Sequence, residues 1–152
     1  MKNRARLVKR LRGLLESQRL AVLASHDRGR PHTSLVAFAS TGDMKQLVFA
    51  TARTTRKFAN LCADGRVALL VDSRSNREED FHDAIAATAA GKASEAKGAA
   101  RARLLKRYLE KHPHLCDFVG SPTCALVRIR VETYYLVQRF QEVTELTMGK
   151  GK

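Results

Sequence analysis

Phe49-Ala50-Thr51-Ala52-Arg53-Thr54-Thr55-Arg56-Lys57-Phe58-Ala59-Asn60-Leu61 is the stretch on which the fold turns. An apolar run beginning near Lys45 ends at Thr51. Phe58, Leu61 and Cys62 then recur at the spacing of one helix face, so a strand runs into a helix that begins near Thr54 or Thr55 and stops at Gly65. A helix N-terminus presents unpaired N–H groups and the positive end of the helix dipole. Arg56 and Lys57 fall in the first turn, where cations oppose that dipole unless an anion compensates. With the hydroxyls of Thr51 and Thr55 added, the segment holds the parts of a phosphate grip.

Upstream, Leu7, Val8, Leu11, Leu14 and Leu15 form one apolar stripe of a helix over about residues 3–17. Leu20 to Ser25 reads as a strand, and His26 to Pro31 carries the Asp, Gly and Pro of a turn that returns as a second strand, His32 to Ser40. Downstream, Val67 to Val71 is a buried strand and Asp72 to Asp83 an exposed polar loop. Ala84 to Ala90 is undecided on pattern, because alanine favours helix and disfavours strand. Leu104, Leu105, Tyr108 and Leu109 mark an amphipathic helix ended by Pro113, and Phe118 to Pro122 is a connection. Beyond Cys124, Val127, Ile129 and Val131 alternate with Arg128, Arg130 and Glu132 as in a half-exposed strand, and Tyr134 to Phe140 follows as a last one. Residues 148–152 read as a frayed tail. Six strands mostly in hairpin order, with helices between them, make an α+β chain: an antiparallel sheet curled toward a barrel, helices outside.

The 152 residues fit one domain. No run approaches the roughly 20 apolar residues of a bilayer span, and the charged start has no signal-peptide core, so a cytoplasmic protein without a membrane segment is expected. Cys62, Cys116 and Cys124 lack metal-site spacing and read as reduced, partly buried thiols; no metal site is expected. The net charge of +13 is out of line. Most of it lies in residues 1–19 and 92–111, both helical, where cationic faces ordinarily meet water.

The 49–61 segment resembles the strand-turn-helix of the pyridoxamine 5′-phosphate oxidase-related, FMN-binding split-barrel family, in which a Thr-Arg-Lys or Ser-Arg-Lys triplet meets the FMN phosphate. The likeness extends over about residues 14–146 through Gly29-Arg30-Pro31 with Ser34-Leu35-Val36, Arg66 to Asp72, Gly91-Lys92-Ala93 and Tyr108 to Pro113. The resemblance implies a six-stranded split β-barrel with peripheral helices, and a strand at the alanine run. It puts Ala50 and Thr51 beside the flavin and its ribityl chain, Thr55, Arg56 and Lys57 at the phosphate, and Ser34, Leu35 and Val36 along the isoalloxazine. It also implies a homodimer with flavin at the subunit interface, Arg139 being a candidate contact from the partner. True pyridoxamine-phosphate oxidases carry two cations where Ser34 and Ala39 stand here, and their C-terminal Trp and Arg-x-His elements have no counterpart in a chain without Trp. Oxidation of vitamin B6 is therefore not expected. The expectation is an FMN-dependent oxidoreductase acting on an unassigned small-molecule or redox substrate, with no side chain standing out as a catalytic acid or base. Two alternatives stay open. One is a haem-handling relative using His112, His114 or His82, imidazole being a common axial ligand. The other is a basic nucleic-acid-binding module, weakened by a 6% aromatic content that is not interleaved with the basic runs.

Overall fold

Short strands whose residues alternate in and out bury one face when the sheet closes on itself, and this chain takes that route. A computed structural model describes residues 2–139 and 141–149. In chain order the elements are α1 (Lys2–Ser17), β1 (Leu20–Asp27), β2 (Arg30–Ser40), β3 (Gln46–Ala52), α2 (Arg56–Ala63), β4 (Arg66–Asp72), α3 (Asp80–Asp83), β5 (Ile85–Glu95), α4 (Gly98–Lys111), α5 (Cys116–Gly120), β6 (Cys124–Gln138) and β7 (Glu142–Thr147). The strands run in the order β3-β2-β1-β4-β5-β6, and a further pairing of β3 with β6 closes a six-stranded barrel. All pairings are antiparallel, and β7 is an additional strand on β6. Among the described residues no helix is long and apolar enough to cross a membrane.

The core fills the barrel with inward residues such as Leu23, Phe38, Leu47, Phe49, Leu69, Ile129 and Tyr134. Leu11, Leu14 and Leu15 of α1 join it, as their stripe requires, each worth about 1.5–3 kcal/mol of burial. Arg10 reaches Gln138 and Arg12 the Gly42 carbonyl, both in exposed contacts that tie α1 to the barrel. A second cluster lies outside, where Leu104 and Tyr108 of α4 cover Ala39, Val48 and Leu126.

The C-terminal strands differ from the sequence reading. The two strands expected from Cys124 and from Tyr134 are one strand of 15 residues, β6. Its register against β5 slips at one point: Gly91 faces Val131 but Ala90 faces Thr133, leaving Glu132 as the extra residue of a β-bulge. The bulge moves the inward positions from 127, 129 and 131 to 134 and 136, and that break in parity is what looked like an interruption. Gly91 is required there, since a Cβ would stand 2.0 Å from the Arg130 carbonyl oxygen. Along one edge of β6, β3 pairs residues 124–130 and β7 takes over from 133 to 138. Strand β7 was not anticipated. Arg139 is a turn residue, and Phe140 lies outside the described residues. Met148, placed in the tail, donates its amide to Glu132 O at 2.8 Å and packs on the core; residues 150–152 lie outside those described.

The alanine run is strand β5, whose Ile85, Ala87 and Ala89 face inward. Small residues suit it because β5 pairs along its length with β4 on one side and β6 on the other. The loop after β4 contains the single turn α3, and the Phe118 connection is partly the short helix α5. Of the three thiols only Cys124 is buried; Cys62 and Cys116 are exposed.

Candidate functional site

Strands β2 and β3 pair over only three positions, Phe38 with Phe49 through Ser40 with Leu47, and beyond Phe38 and Phe49 they part. Into this split opens a cleft of about 310 Å³, lined by Leu35, Val36 and Ala37 of β2, Ala50, Thr51 and Ala52 of β3, and Thr55 and Lys57 at the start of α2. Tyr108, Leu115 and Phe118 form its remaining wall. Six of the nine residues expected at the flavin thus share one cleft: Leu35, Val36, Ala50, Thr51, Thr55 and Lys57.

The other three lie elsewhere. Arg56 is the first residue of α2, exposed, and is not among the residues lining the cleft. Ser34 sits opposite Leu23 and turns its hydroxyl inward, where the oxygen is buried with no hydrogen-bond partner. Arg139 is exposed at positive φ between β6 and β7, in a separate cleft against Asn3, Arg6 and Arg10 of α1.

Thr55 caps α2 in extended conformation, its hydroxyl accepting from the Phe58 amide at 3.3 Å. That leaves the amides of Arg56 and Lys57 among those a helix cannot pair internally. Thr51, buried, shares a 2.8 Å hydroxyl–hydroxyl hydrogen bond with Thr55, and both hydroxyls also reach Ala52 O. The turn is fixed from outside as well. Arg53 makes a two-pronged ion pair with Glu95 at 2.7 and 2.9 Å, holding the Glu95 carboxyl below its usual pKa, and lies over the Phe58 ring. Asn60 of α2 donates to Ser25 of β1 at 3.2 Å. Arg53 is therefore committed to the framework. Among the described residues neither Arg56 nor Lys57 has an ion pair or side-chain hydrogen bond, so both charges are available.

Sequence reasoning missed Tyr108. Buried in the helix stripe of α4, it donates its hydroxyl to Ala37 O at 3.1 Å and so wedges the parted strands. Burial pushes its phenol up to about 12, against an opposing pull from the Ala50 backbone. The available signal was a tyrosine at a stripe position where leucine would serve, since a buried hydroxyl needs a partner.

The histidines separate. His112 is 1% exposed and places Nε2 2.7 Å from Phe38 O, so its ring is used in docking α4 to β2. Burial lowers its pKa and favours the neutral ring. It has no open face for haem iron. His114 and His82 are exposed. Among the described residues no three His, Cys, Asp or Glu side chains are grouped to hold a metal ion.

Comparison with known proteins gives the same fold. A haem-binding protein from Mycobacterium smegmatis superposes with a TM-score of 0.80 at 18% identity, over 90% of this chain and 55% of that one, so this chain spans little more than half its length. HutZ, the haem storage protein of Vibrio cholerae, gives 0.71 at 16% identity, over 86% and 92% of the two chains. An FAD-binding protein from Mesorhizobium loti gives 0.65 at 16%, over 84% and 91%. At such identities the likeness is one of fold. No curated protein matches the chain. The sequence profile described as pyridoxamine 5′-phosphate oxidase matches residues 7–138, from the first helix through the last barrel strand, and the chain belongs to that family.

Proposed function

We propose that residues 1–152 act as one FMN-binding domain, a flavoprotein oxidoreductase of unassigned substrate that works as a homodimer. The observation that carries this reading is the cleft at the split: two unpaired helix amides, the Lys57 ammonium, two threonine hydroxyls, and an apolar wall leading away from them, with Arg56 next to Lys57 on α2 but outside the lining. Such a site suits a ligand with a phosphate at one end and a flat apolar ring at the other. Lys57 and the α2 amides would bind the phosphate, Thr51 and Thr55 the polar chain, and Leu35, Val36 and Ala50 would shield the ring from water. The flavin supplies hydride or electron transfer when bound. At about 310 Å³ the cleft stands at the small end of ligand sites, and Leu35 and Phe118 beside it are exposed, which supports completion by a second copy.

Protein purified without added cofactor should absorb near about 450 nm, the oxidised flavin band, or acquire that band on FMN titration. A colourless protein that takes up no FMN would refute the proposal. The same spectrum tests haem binding, for which the exposed His114 is the accessible imidazole: a Soret band lost in His114→Ala would replace FMN by haem.

A further inference from the structure

The outer face of the barrel has a second cluster of cations that the flavin reading does not use. Arg128 and Arg130 of β6 alternate with the buried Val127 and Ile129 and so project outward together, about 6.6 Å apart along the strand. Gln46 of β3 pairs with Arg130 in register and shares that face. With Lys45, with Arg103 from α4 and with Asp43, these residues line a cavity of about 320 Å³.

Among the described residues, none of the side chains of Lys45, Arg103, Arg128 and Arg130 forms an ion pair or hydrogen bond. Nε of Arg128 and Oε1 of Gln46 are buried without partners. Asp43 is the one carboxylate in the lining, and its Oδ1 is occupied by the Thr41 hydroxyl at 2.7 Å and the Lys45 amide at 3.0 Å. Burial, together with Arg130 and Arg103, pulls the Arg128 guanidinium below its usual pKa. A buried guanidinium Nε–H without an acceptor is costly, and the geometry that relieves it is the planar fork on an oxyanion. Four cations against one carboxylate call for a multiply charged anion. The cavity holds ~10 water volumes at ~30 Å³ each, room for two phosphoryl groups with a substituent.

This cavity is separate from the cleft. Gln46 and Ala50 are four residues apart on β3, about 13 Å. Helix α4 touches both, Arg103 lining the cavity and Tyr108 the cleft.

We propose that Lys45, Arg103, Arg128 and Arg130 form a second anion site, which takes a small diphosphate-bearing ligand on the outer face of the barrel. Isothermal titration of the full chain with pyrophosphate at low salt tests it, because this probe carries the charge without a flavin ring. The expected result is a site weakened at least tenfold in Arg128→Gln and in Arg103→Gln and kept in Lys57→Ala, which removes the cleft's own phosphate contact. In phosphate-free buffer Arg128→Gln should unfold at the wild-type temperature or above, since it removes an unpartnered cation. Absence of binding would overturn the proposal. So would binding lost in Lys57→Ala but kept in Arg128→Gln, which would put the anion in the cleft. Equal weakening in the remote Arg4→Gln would reduce the effect to net charge, and a lower unfolding temperature for Arg128→Gln would make that residue structural; either result also overturns it.

Discussion

Lys57 sits in the first turn of α2, where its charge is opposed by the helix dipole and no carboxylate among the described residues answers it, so an anion has most to gain there. Lys57→Ala should weaken FMN binding by about 1.5–3 kcal/mol, the range of one charged hydrogen bond, and Arg56→Ala by less because Arg56 is not in the lining. Quenching of flavin fluorescence in a titration reads both, and unchanged affinity in both variants would dismiss the phosphate assignment. Tyr108→Phe leaves Ala37 O without its donor inside the split. It should lower the urea midpoint, at a cost of about 1–3 kcal/mol, and also loosen FMN binding; a wild-type midpoint would show that the wedge is not needed. The two residues differ in how far sequence exposes them. The Lys57 argument needs only its own helix start, visible within a dozen positions. The Tyr108 argument depends on a carbonyl 71 residues away, and in sequence the residue is one more member of an apolar stripe.

At the scale of elements, α4 is held to β2 by a neutral imidazole. His112 Nε2 lies 2.7 Å from Phe38 O, burial lowers its pKa, and Lys111, His114 and Arg19 nearby disfavour a second positive charge. A histidine whose pKa is lower folded than unfolded takes up protons on unfolding, so stability rises with pH through the folded and unfolded values and falls as pH drops below about 6.5. Chemical unfolding between pH 5 and 7.5 should show this slope, and His112→Gln, which keeps a donor for Phe38 O, should flatten it; the same slope in both would assign it to other groups. The β5–β6 pair gives a second element-scale test. Gly91→Ala forces a Cβ against the Arg130 carbonyl at the bulge and should cost about 2 kcal/mol or more, read from the denaturant midpoint; a neutral substitution would mean that the bulge can relax. This is also where sequence failed. Strict alternation made β6 visible up to Val131, and one extra residue reversed its parity beyond. The alanine run lacked any local strand signal, because two flanking strands decide its conformation.

For the whole molecule, the hairpin order of the strands made an antiparallel sheet legible. The same pattern suggested a sheet curled toward a barrel, but which strands close it was not legible, since β3 and β6 lie more than 70 residues apart. The closed barrel leaves an apolar band outside. Leu35, Val22, Leu70, Thr88 and Tyr135 are register partners in turn across β2, β1, β4, β5 and β6, so they form one row. Leu35 is 65% exposed, Leu70 36% and Tyr135 37%. Such a row suits a self-complementary contact, and its Leu35 end lines the cleft, so a second copy over the row would also cover the flavin ring. With +13 on each chain, two copies repel, and association should strengthen as salt rises through screening. Sedimentation should therefore find a dimer. Leu70→Glu should break it with the far-UV spectrum intact, and because Leu70 is not in the cleft lining, FMN affinity should fall only as far as the dimer is lost. A wild-type monomer binding FMN at full strength, or a monomeric Leu70→Glu that keeps that affinity, would show that one chain completes the site alone.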